Sequence, residues 1–242
     1  ISACLVGSEM CIRDSYQGVV DTYGGRFAAF GCVPLPHVDA ALAEARRCLD
    51  DLGFAGITLG CSVQRQPLDQ PAFEPFWAEL DRRKTVVFLH PMGIGAPMAD
   101  DYNLTWLIGA PFEDTVTALR LVASGLTSRH PGVRIIIPHL GGTVPYVWSR
   151  LNYQIADSGE SLKHGLRDLY YDTVNLAPGM LCAACGLLDA SHIMLGTDFP
   201  YVMPDKYGEF VTSVQESGLP SDAVSAILDH NAQELLRLPA KR

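Results

Sequence analysis

The segment Val133-Arg-Ile-Ile-Ile-Pro-His139-Leu-Gly-Gly142 decides the fold, because an apolar run of strand length ends in a histidine and a glycine turn. Two other segments follow the same design: Thr85-Val-Val-Phe-Leu-His90 ends in a histidine, and Ile193-Met-Leu-Gly-Thr-Asp198 ends in an aspartate. Runs that are almost continuously apolar are typical of strands buried on both faces, as in parallel sheets. The sequence therefore predicts parallel strands that carry polar residues at their carboxyl ends.

Strands and helices alternate along most of the chain. Six runs are predicted as strands, over 26–34, 56–60, 85–90, 133–139, 169–174 and 193–198. Apolar residues three and four apart predict helices over 38–52, 71–83, 114–128, 144–155, 180–188, 206–217 and 221–238. This α/β alternation predicts a parallel sheet, either open or closed as a TIM-like (β/α)₈ barrel. No Gly-x-Gly-x-x-Gly turn follows an early strand, which argues against an open dinucleotide-binding sheet.

Charge and hydropathy narrow the class of partner. The 242 residues include 27 acidic and 18 basic side chains, and the formal net charge of -9 has the wrong sign for binding a phosphate backbone. No apolar run approaches the ~20 residues of a transmembrane helix. The first residues lack the basic flank of a secretory signal, so we expect reduced cysteines and a cytoplasmic location. A small molecule is the expected partner, rather than a nucleic acid or a membrane.

His90, His139 and Asp198 each end a predicted strand. Because parallel strands carry their carboxyl ends to one rim, two imidazoles and a carboxylate are expected to meet there, and these groups are ligands for zinc or manganese. Each residue taken alone is equally well explained as a strand-end side chain bonded to a neighbouring loop. Three of them on three strands, each beside Gly or Pro, favour a functional site at this rim.

The order of the motifs carries a family resemblance. The segments Phe88-Leu-His90-Pro91, Trp106-Leu-Ile-Gly109, His139-Leu-Gly-Gly142 and Gly196-Thr-Asp198-Phe-Pro200, together with Asn231-Ala232, follow one another as in one group of enzymes. From Arg26 to its end, the chain resembles the amidohydrolase-related metal-dependent enzymes. The likeness is to the aminocarboxymuconate-semialdehyde decarboxylase type, which includes resorcylate and methylsalicylate decarboxylases. The resemblance implies a distorted (β/α)₈ barrel that holds one catalytic divalent metal.

The resemblance also implies roles for individual residues. His90 and Asp198 match metal ligands, Asp198 is in addition a proton shuttle, and His139 is the catalytic acid/base. Arg150 matches an arginine that some members insert into the neighbouring subunit's site to hold a substrate carboxylate, which implies a homodimer; an exposed helix position explains it equally well. The loop from Met92 to Asn103 is expected to line the substrate pocket. Zinc is the expected metal ahead of manganese.

The chain departs from the family pattern at its start. Family members carry His-x-His or Glu-x-His on the first strand, and no His-x-His occurs in this sequence. Residues 1–15 match neither the family nor any helix or strand period. We therefore expect a non-native or disordered leader over 1–15 and a single barrel domain over 16–242 that lacks its first one or two strands. Inactivity of this exact chain is then one possible outcome.

Three functions remain open from the sequence. The resemblance favours non-oxidative decarboxylation of an aromatic or unsaturated carboxylic acid, with a metal and no organic cofactor. Metal-dependent hydrolysis of a lactone or amide uses the same groups around the metal, so it is the alternative within the superfamily. A truncated, inactive remnant or binding module is the alternative from another class. Retention of His90, His139 and Asp198 in strand-end contexts favours an enzyme over a remnant.

Overall fold

The computed structural model describes residues 15–23, 25–93, 95–151, 159–201 and 204–238. Its centre is a six-stranded parallel sheet whose strand order follows the chain. All six predicted strands are confirmed, as β1 (Phe30–Cys32), β2 (Gly56–Gly60), β5 (Val86–His90), β6 (Arg134–Ile137), β7 (Tyr170–Asp172) and β8 (Ile193–Met194). A small antiparallel hairpin, β3 (Ser62–Val63) with β4 (Gln66–Pro67), follows β2.

The register of the sheet fixes where the strands end. Gly60 of β2 pairs with His90 of β5, and Val87 of β5 pairs with Ile135 of β6. Val87 and Ile135 are almost completely buried, as expected for strands covered on both faces. All neighbouring pairs in the sheet are parallel, so the polar residues that follow the strands emerge on one side.

Helices connect the strands. The helices are α1 (15–22), α2 (Val38–Arg46), α3 (Glu74–Arg83), α4 (Ala110–Ala123), α5 (Leu126–Arg129), α6 (Val144–Val147), α7 (Gly159–Arg167), α8 (Pro178–Cys185), α9 (Tyr207–Gln215), α10 (Ser221–Ser225) and α11 (Asn231–Leu235). Wider π-helical turns over Arg47–Asp51, Thr105–Gly109 and Ala226–His230 extend or join them.

The helix predicted over 114–128 is wrong at both ends. The helix starts at Ala110, and Pro111 lies in its first turn. Proline is tolerated there because the N–H groups of the first turn have no partner within the helix. The helix stops before Gly125, whose φ of +72° breaks it, and α5 begins after that glycine. The early start matters, because it brings Glu113 and Asp114 into the first turns of α4.

The core lies between the sheet and the helices that cover it. Phe76, Trp77 and Leu80 of α3 are buried to 1% exposure or less, and Leu121 of α4 is equally buried. Burying a large apolar side chain contributes about 1.5–3 kcal/mol each, so this layer dominates the stability of the sheet. The indole N–H of Trp77 donates to the carbonyl oxygen of Leu68 at 2.9 Å, so its one polar atom is satisfied.

Several expectations from the sequence fall partly outside the described part of the chain. Residues 1–14 of the predicted leader lie outside it, whereas Ser15 already belongs to α1. The extents of the leader and of the single domain therefore stay predictions, and so does the truncation. None of the helices in the described ranges is long and apolar enough to cross a bilayer.

Candidate active site

A cavity of about 400 Å³ opens at the carboxyl ends of the strands. Its described lining combines the three strand-end residues with aromatic and small apolar groups: His90, Pro91, Asn103, Trp106, Ala110, His139, Asp198 and Tyr201. The structure thus brings His90, His139 and Asp198 together at one rim of the sheet. Cavities of this size, mostly apolar with a few convergent polar groups, are typical of small-molecule sites.

The turn that carries His139 has an unusual backbone. His139, Leu140, Gly141 and Gly142 have φ values of +54°, +53°, +74° and +62° in succession. A Cβ atom at Gly142 would overlap the carbonyl oxygen of Pro111 in α4, so only glycine allows this approach. The turn is therefore held against α4 in a conformation that non-glycine residues adopt at a cost, as often occurs at functional sites.

His139 contacts a buried carboxylate. Its Nδ1 lies 2.7 Å from Oδ2 of Asp114, and the Asp114 side chain is 0% exposed. The other oxygen of Asp114 accepts a hydrogen bond from Sγ of Cys61 at 3.4 Å. Because Asp114 fixes the proton on Nδ1, Nε2 is the ring nitrogen of His139 that remains for chemistry in the cavity.

The electrostatic surroundings favour the imidazolium form of His139. Burial alone would lower its pKa, but the hydrogen bond to Asp114 and the charges of Asp114, Asp172 and Asp198 outweigh burial and raise it. Burial raises the pKa of Asp114, and the contact with His139 opposes that rise. The pair therefore favours a protonated His139 hydrogen-bonded to Asp114.

Asp172 supports the same turn from the next strand. Its Oδ1 accepts hydrogen bonds from the backbone N–H groups of His139 at 2.8 Å and Val174 at 3.0 Å. The side chain is buried, and burial raises the pKa of Asp172 to about 6, against 3.8 for an ordinary aspartate. A carboxylate at the end of β7 thus anchors the main chain of the His139 turn.

Glu113, next to Asp114 on α4, holds the loop after His90. Its Oε2 accepts from the backbone N–H of Met92 at 2.6 Å, and its Oε1 accepts from the hydroxyl of Ser62 at 2.8 Å. The Nδ1 atom of His90 is 2.7 Å from the carbonyl oxygen of Pro91. A proton on that nitrogen leaves Nε2 of His90 as an electron-pair donor.

Asp198 lies in the loop after β8 with a left-handed backbone, at φ +53°. Its carbonyl oxygen accepts a hydrogen bond from the N–H of Tyr201 at 2.9 Å. Within the described ranges no donor contacts its carboxylate, although the side chain lines the cavity. A half-buried carboxylate of this kind is available to a cation.

The fit of this donor set to a divalent metal is partial. His90 and Asp198 supply a nitrogen and oxygens of the type that zinc and manganese bind. In the part of the chain that the structure describes, no group of three His, Cys, Asp or Glu residues is placed to hold a metal. Two donors fall short of the three protein ligands that catalytic zinc centres usually have.

The remaining predicted residues divide between the cavity and the surface. Asn103 lines the cavity. Met92 does not belong to the described lining, and its side chain is 60% exposed. Arg150 is also exposed, in the helical turn after α6, away from the described lining. The substrate-binding roles of Met92 and Arg150 therefore stay predictions.

Four contributors to the site were missed by sequence reasoning. Asp172 ends the observed strand, whereas the predicted strand continued to Val174 and placed Asp172 inside it, so the strand-end signal did not single it out. Asp114 sits within a helix, where a buried carboxylate leaves no periodic signal. Trp106 and Tyr201 follow strands only at a distance along the chain, so their place on the cavity depends on the loops.

The chain is similar in sequence to proteins of one known family. A family model described as Amidohydrolase, Amidohydro_2, matches residues 9–238. The chain belongs to the amidohydrolase family. A gamma-resorcylate decarboxylase of Rhizobium sp. (strain MTP-10005) is 31% identical over 218 residues, covering 79% of this chain and 66% of that protein. The 6-methylsalicylic acid decarboxylase acuB of Aspergillus aculeatus is 31% identical, covering 91% of this chain and 72% of that protein.

Solved amidohydrolase-family structures have the same fold. A 2,6-dihydroxybenzoate decarboxylase complexed with 2,6-dihydroxybenzoate superposes with a TM-score of 0.82 at 26% identity, covering 96% of this chain and 78% of that one. A dihydroxybenzoic acid decarboxylase from Polaromonas sp. JS666, solved with bound manganese and 2-nitroresorcinol, gives a TM-score of 0.86 at 24% identity, covering 98% of this chain and 77% of that one. The predicted TIM-barrel class and the predicted family are confirmed. The chain spans just under two thirds of the Rhizobium enzyme's length.

Proposed function

We propose that this amidohydrolase-family chain supplies the active site for non-oxidative decarboxylation of an aromatic carboxylic acid with a hydroxyl group next to the carboxylate. The observation that carries the proposal is the His139–Asp114 pair on a cavity that His90 and Asp198 also line. Two relatives support it: one is named for gamma-resorcylate and one for 6-methylsalicylic acid. Both acids carry a ring hydroxyl beside the carboxylate.

The cavity suits a flat, apolar ring. Pro91, Trp106, Ala110 and Tyr201 provide apolar and aromatic surface, and Asn103 provides an amide for a ring hydroxyl. The volume of about 400 Å³ falls within the range of small-ligand sites. A single aromatic acid therefore fits this lining better than an extended polymer.

Decarboxylation needs a proton on the ring carbon that loses the carboxylate. The C–C bond breaks, carbon dioxide leaves, and the bonding electron pair forms the new C–H bond with that proton. The His139 imidazolium supplies it from Nε2, while Asp114 stabilises the charge before transfer and keeps the ring oriented. Asp198, on the same cavity, is a second group able to hold the proton.

A divalent metal is part of the proposal, with His90 and Asp198 as its ligands among the described residues. When bound, such a cation neutralises the carboxylate and phenolate oxygens of the substrate. With only these two donors from the described residues, weak metal binding is expected. No observation on the chain favours zinc over manganese, and manganese is bound in two solved structures of this fold.

A homodimer is proposed on the basis of exposed apolar surface. Five apolar side chains on the stretch from the π-helical turn into α4 are between 43% and 70% exposed: Trp106, Leu107, Ile108, Phe112 and Val116. Such a patch beside a cavity is typical of an interaction surface. A second copy that covers it would also bring its own side chains close to the cavity mouth, as the proposed role of Arg150 requires.

The dimer and the role of Arg150 are tested by mixing two inactive variants, Arg150→Gln and His139→Asn. If Arg150 serves the partner's cavity, mixed dimers contain one site with both residues intact, and activity returns. If Arg150 serves its own cavity, no mixed dimer regains activity, and if it serves neither cavity, Arg150→Gln is already active before mixing. A monomer by light scattering at all concentrations contradicts the dimer directly.

A second candidate function, ligand binding without catalysis, is favoured by the two-donor metal set. The deciding experiment incubates the chain with 2,6-dihydroxybenzoate and either Mn²⁺ or Zn²⁺, and follows resorcinol by chromatography. Metal-stimulated product that disappears in the Asp198→Ala variant supports the decarboxylase. Ligand binding without product at every metal concentration supports the binding module, and turnover of lactones or amides in place of the acid points to hydrolysis.

Cytoplasmic location stays a prediction.

A further inference from the structure

A second cavity lies at the opposite end of the sheet, where strands begin. It has a volume of about 450 Å³, and Thr85, Arg134 and Ala55 in its wall immediately precede or start β5, β6 and β2. The candidate active site lies where the same strands end. The two cavities are therefore separated by the length of the sheet.

The charged groups in this second cavity are mostly cationic. Among the described lining residues, four are cationic (Arg83, Lys84, Arg134 and Arg237) and one, Asp50, carries a carboxylate. Asp50 is already paired with Arg83 at 2.7 Å. No carboxylate of the described residues pairs with Lys84, Arg134 or Arg237, so three positive charges face the cavity without a counter-ion.

Arg134 and Arg237 lie in the wall of the same cavity. Burial and then the charge of Arg237 lower the pKa of Arg134. The Nη2 of Arg134 donates to the carbonyl oxygen of Lys84 at 2.8 Å, whereas its buried Nε has no partner. An anion stabilises a group of like positive charges that includes an unused N–H donor.

A buried hydroxyl adds a second unused donor. Thr85 is 5% exposed, and its Oγ1 is buried without a hydrogen-bond partner. A buried polar group without a partner is costly, and native proteins usually satisfy it with protein, water or ligand. Thr85 and Arg134 thus line one cavity, and each has a buried polar atom whose hydrogen-bonding capacity is unmet.

The backbone at two of the cations is also unusual. Lys84 ends α3 with φ +54°, and Arg237 follows α11 with φ +53°. Glycine is the residue that takes this left-handed position at a helix end most readily. Both positions instead hold long cations that line the same cavity.

We propose that this second cavity binds the phosphate group of a small organic phosphate. Three cations and two unused donors match a dianion with several acceptor oxygens better than a single carboxylate. Leu49, Phe54 and Leu235 form an apolar wall beside the cations, which suits the organic part of the ligand. The site is independent of the proposed decarboxylation.

Calorimetry with inorganic phosphate on the full chain tests the proposal. Saturable binding is expected, and Arg237→Gln should weaken it about tenfold, the usual effect of losing one charge-assisted hydrogen bond. Arg237 is exposed at the end of the last described helix, so its replacement leaves the core intact. Arg120→Gln is the matched control, because Arg120 is a surface arginine paired with Asp69 outside this cavity.

A second variant and a second anion distinguish this cavity from other anion-binding surfaces of the protein. Thr85→Val removes only the hydroxyl, and it should weaken phosphate binding while stabilising the ligand-free chain. Benzoate should bind the wild-type second cavity more weakly than phosphate does. No saturable binding, or binding that Arg237→Gln and Thr85→Val leave unchanged, overturns the proposal, and the latter outcome places the anion in another cavity.

Discussion

The imidazole of His139 shares a 2.7 Å contact with the carboxylate of Asp114, which is buried completely inside α4. His139 comes from the turn after β6, whereas Asp114 comes from the helix that precedes that strand. The contact therefore depends on the packing of α4 against the sheet. It sets the tautomer and the charge of the one histidine that the proposed reaction needs as an acid.

Replacing His139 with asparagine is expected to lower kcat for the proposed decarboxylation by about 10²–10⁴-fold, the usual contribution of a general acid. Asparagine tolerates the left-handed backbone at this position, so the turn should persist. Stopped-flow or chromatographic assays measure kcat, and circular dichroism checks the fold. The exposed His164→Gln is the control, and a fully active His139→Asn variant would remove His139 from the mechanism.

Asp114→Asn is expected to lower the pKa of His139, because it removes the carboxylate that favours the imidazolium. Activity that depends on protonated His139 declines as pH rises through that pKa. The decline should therefore move to lower pH in the variant, with the largest loss of activity on the alkaline side of the decline. The pH profile of kcat/KM and the NMR titration of His139 both report the shift; Asp189→Asn, in the loop before β8, should change neither.

Asp172→Asn is expected to stabilise the fold above pH 6. The folded state holds the proton of Asp172 up to about pH 6, against 3.8 for an ordinary aspartate, so it binds protons more tightly than the unfolded chain. The raised pKa of Asp172 therefore adds to the free energy of unfolding below about pH 4. This contribution is lost as the pH rises to 6. The amide of the variant keeps the acceptor oxygen and carries no charge. Removing the buried charge should raise the free energy of unfolding by up to about 3 kcal/mol at pH 8.

Urea unfolding at several pH values measures this effect. Below pH 4 the variant and the wild type should be equally stable, which provides the internal control. The negative charge also helps to raise the pKa of His139, so the more stable variant should be less active at neutral pH. Equal stability at pH 8 would show that Asp172 is not costly when ionised.

Gly142→Ala is expected to destabilise the protein by about 3 kcal/mol, from overlap with α4 and the left-handed backbone. Gly208→Ala is the matched control in α9, because nothing lies within 4 Å of an added Cβ there. That change should be neutral or stabilising by up to about 1 kcal/mol. Thermal unfolding of both variants compares them, and equal melting temperatures would contradict the close approach of the turn to Pro111.

The strands were predictable because their apolar runs are strong and local. His90, His139 and Asp198 were found for the same reason, since each ends such a run. Asp172 was missed because the predicted strand continued to Val174, two residues beyond the point where the observed strand ends. The partnership of Asp114 with His139 was not predictable, because it depends on how far α4 extends toward the sheet and on which of its faces is buried, which no short sequence window encodes. Arg150 and Met92 were placed by analogy, and the structure leaves both outside the described cavity lining.

Glu113 and Asp114 are neighbours on α4, yet one secures the loop after His90 and the other secures His139. In the proposed reaction, the group that transfers the proton and the loop that contacts the substrate are therefore held by different side chains. In that reaction, Asn103, which lines the cavity from the loop after His90, can vary in size and polarity and so change which acid is accepted, while this acidic pair keeps the proton-transfer group in place. A lineage or a directed-evolution library can therefore explore new substrates in that loop without rebuilding the reactive centre.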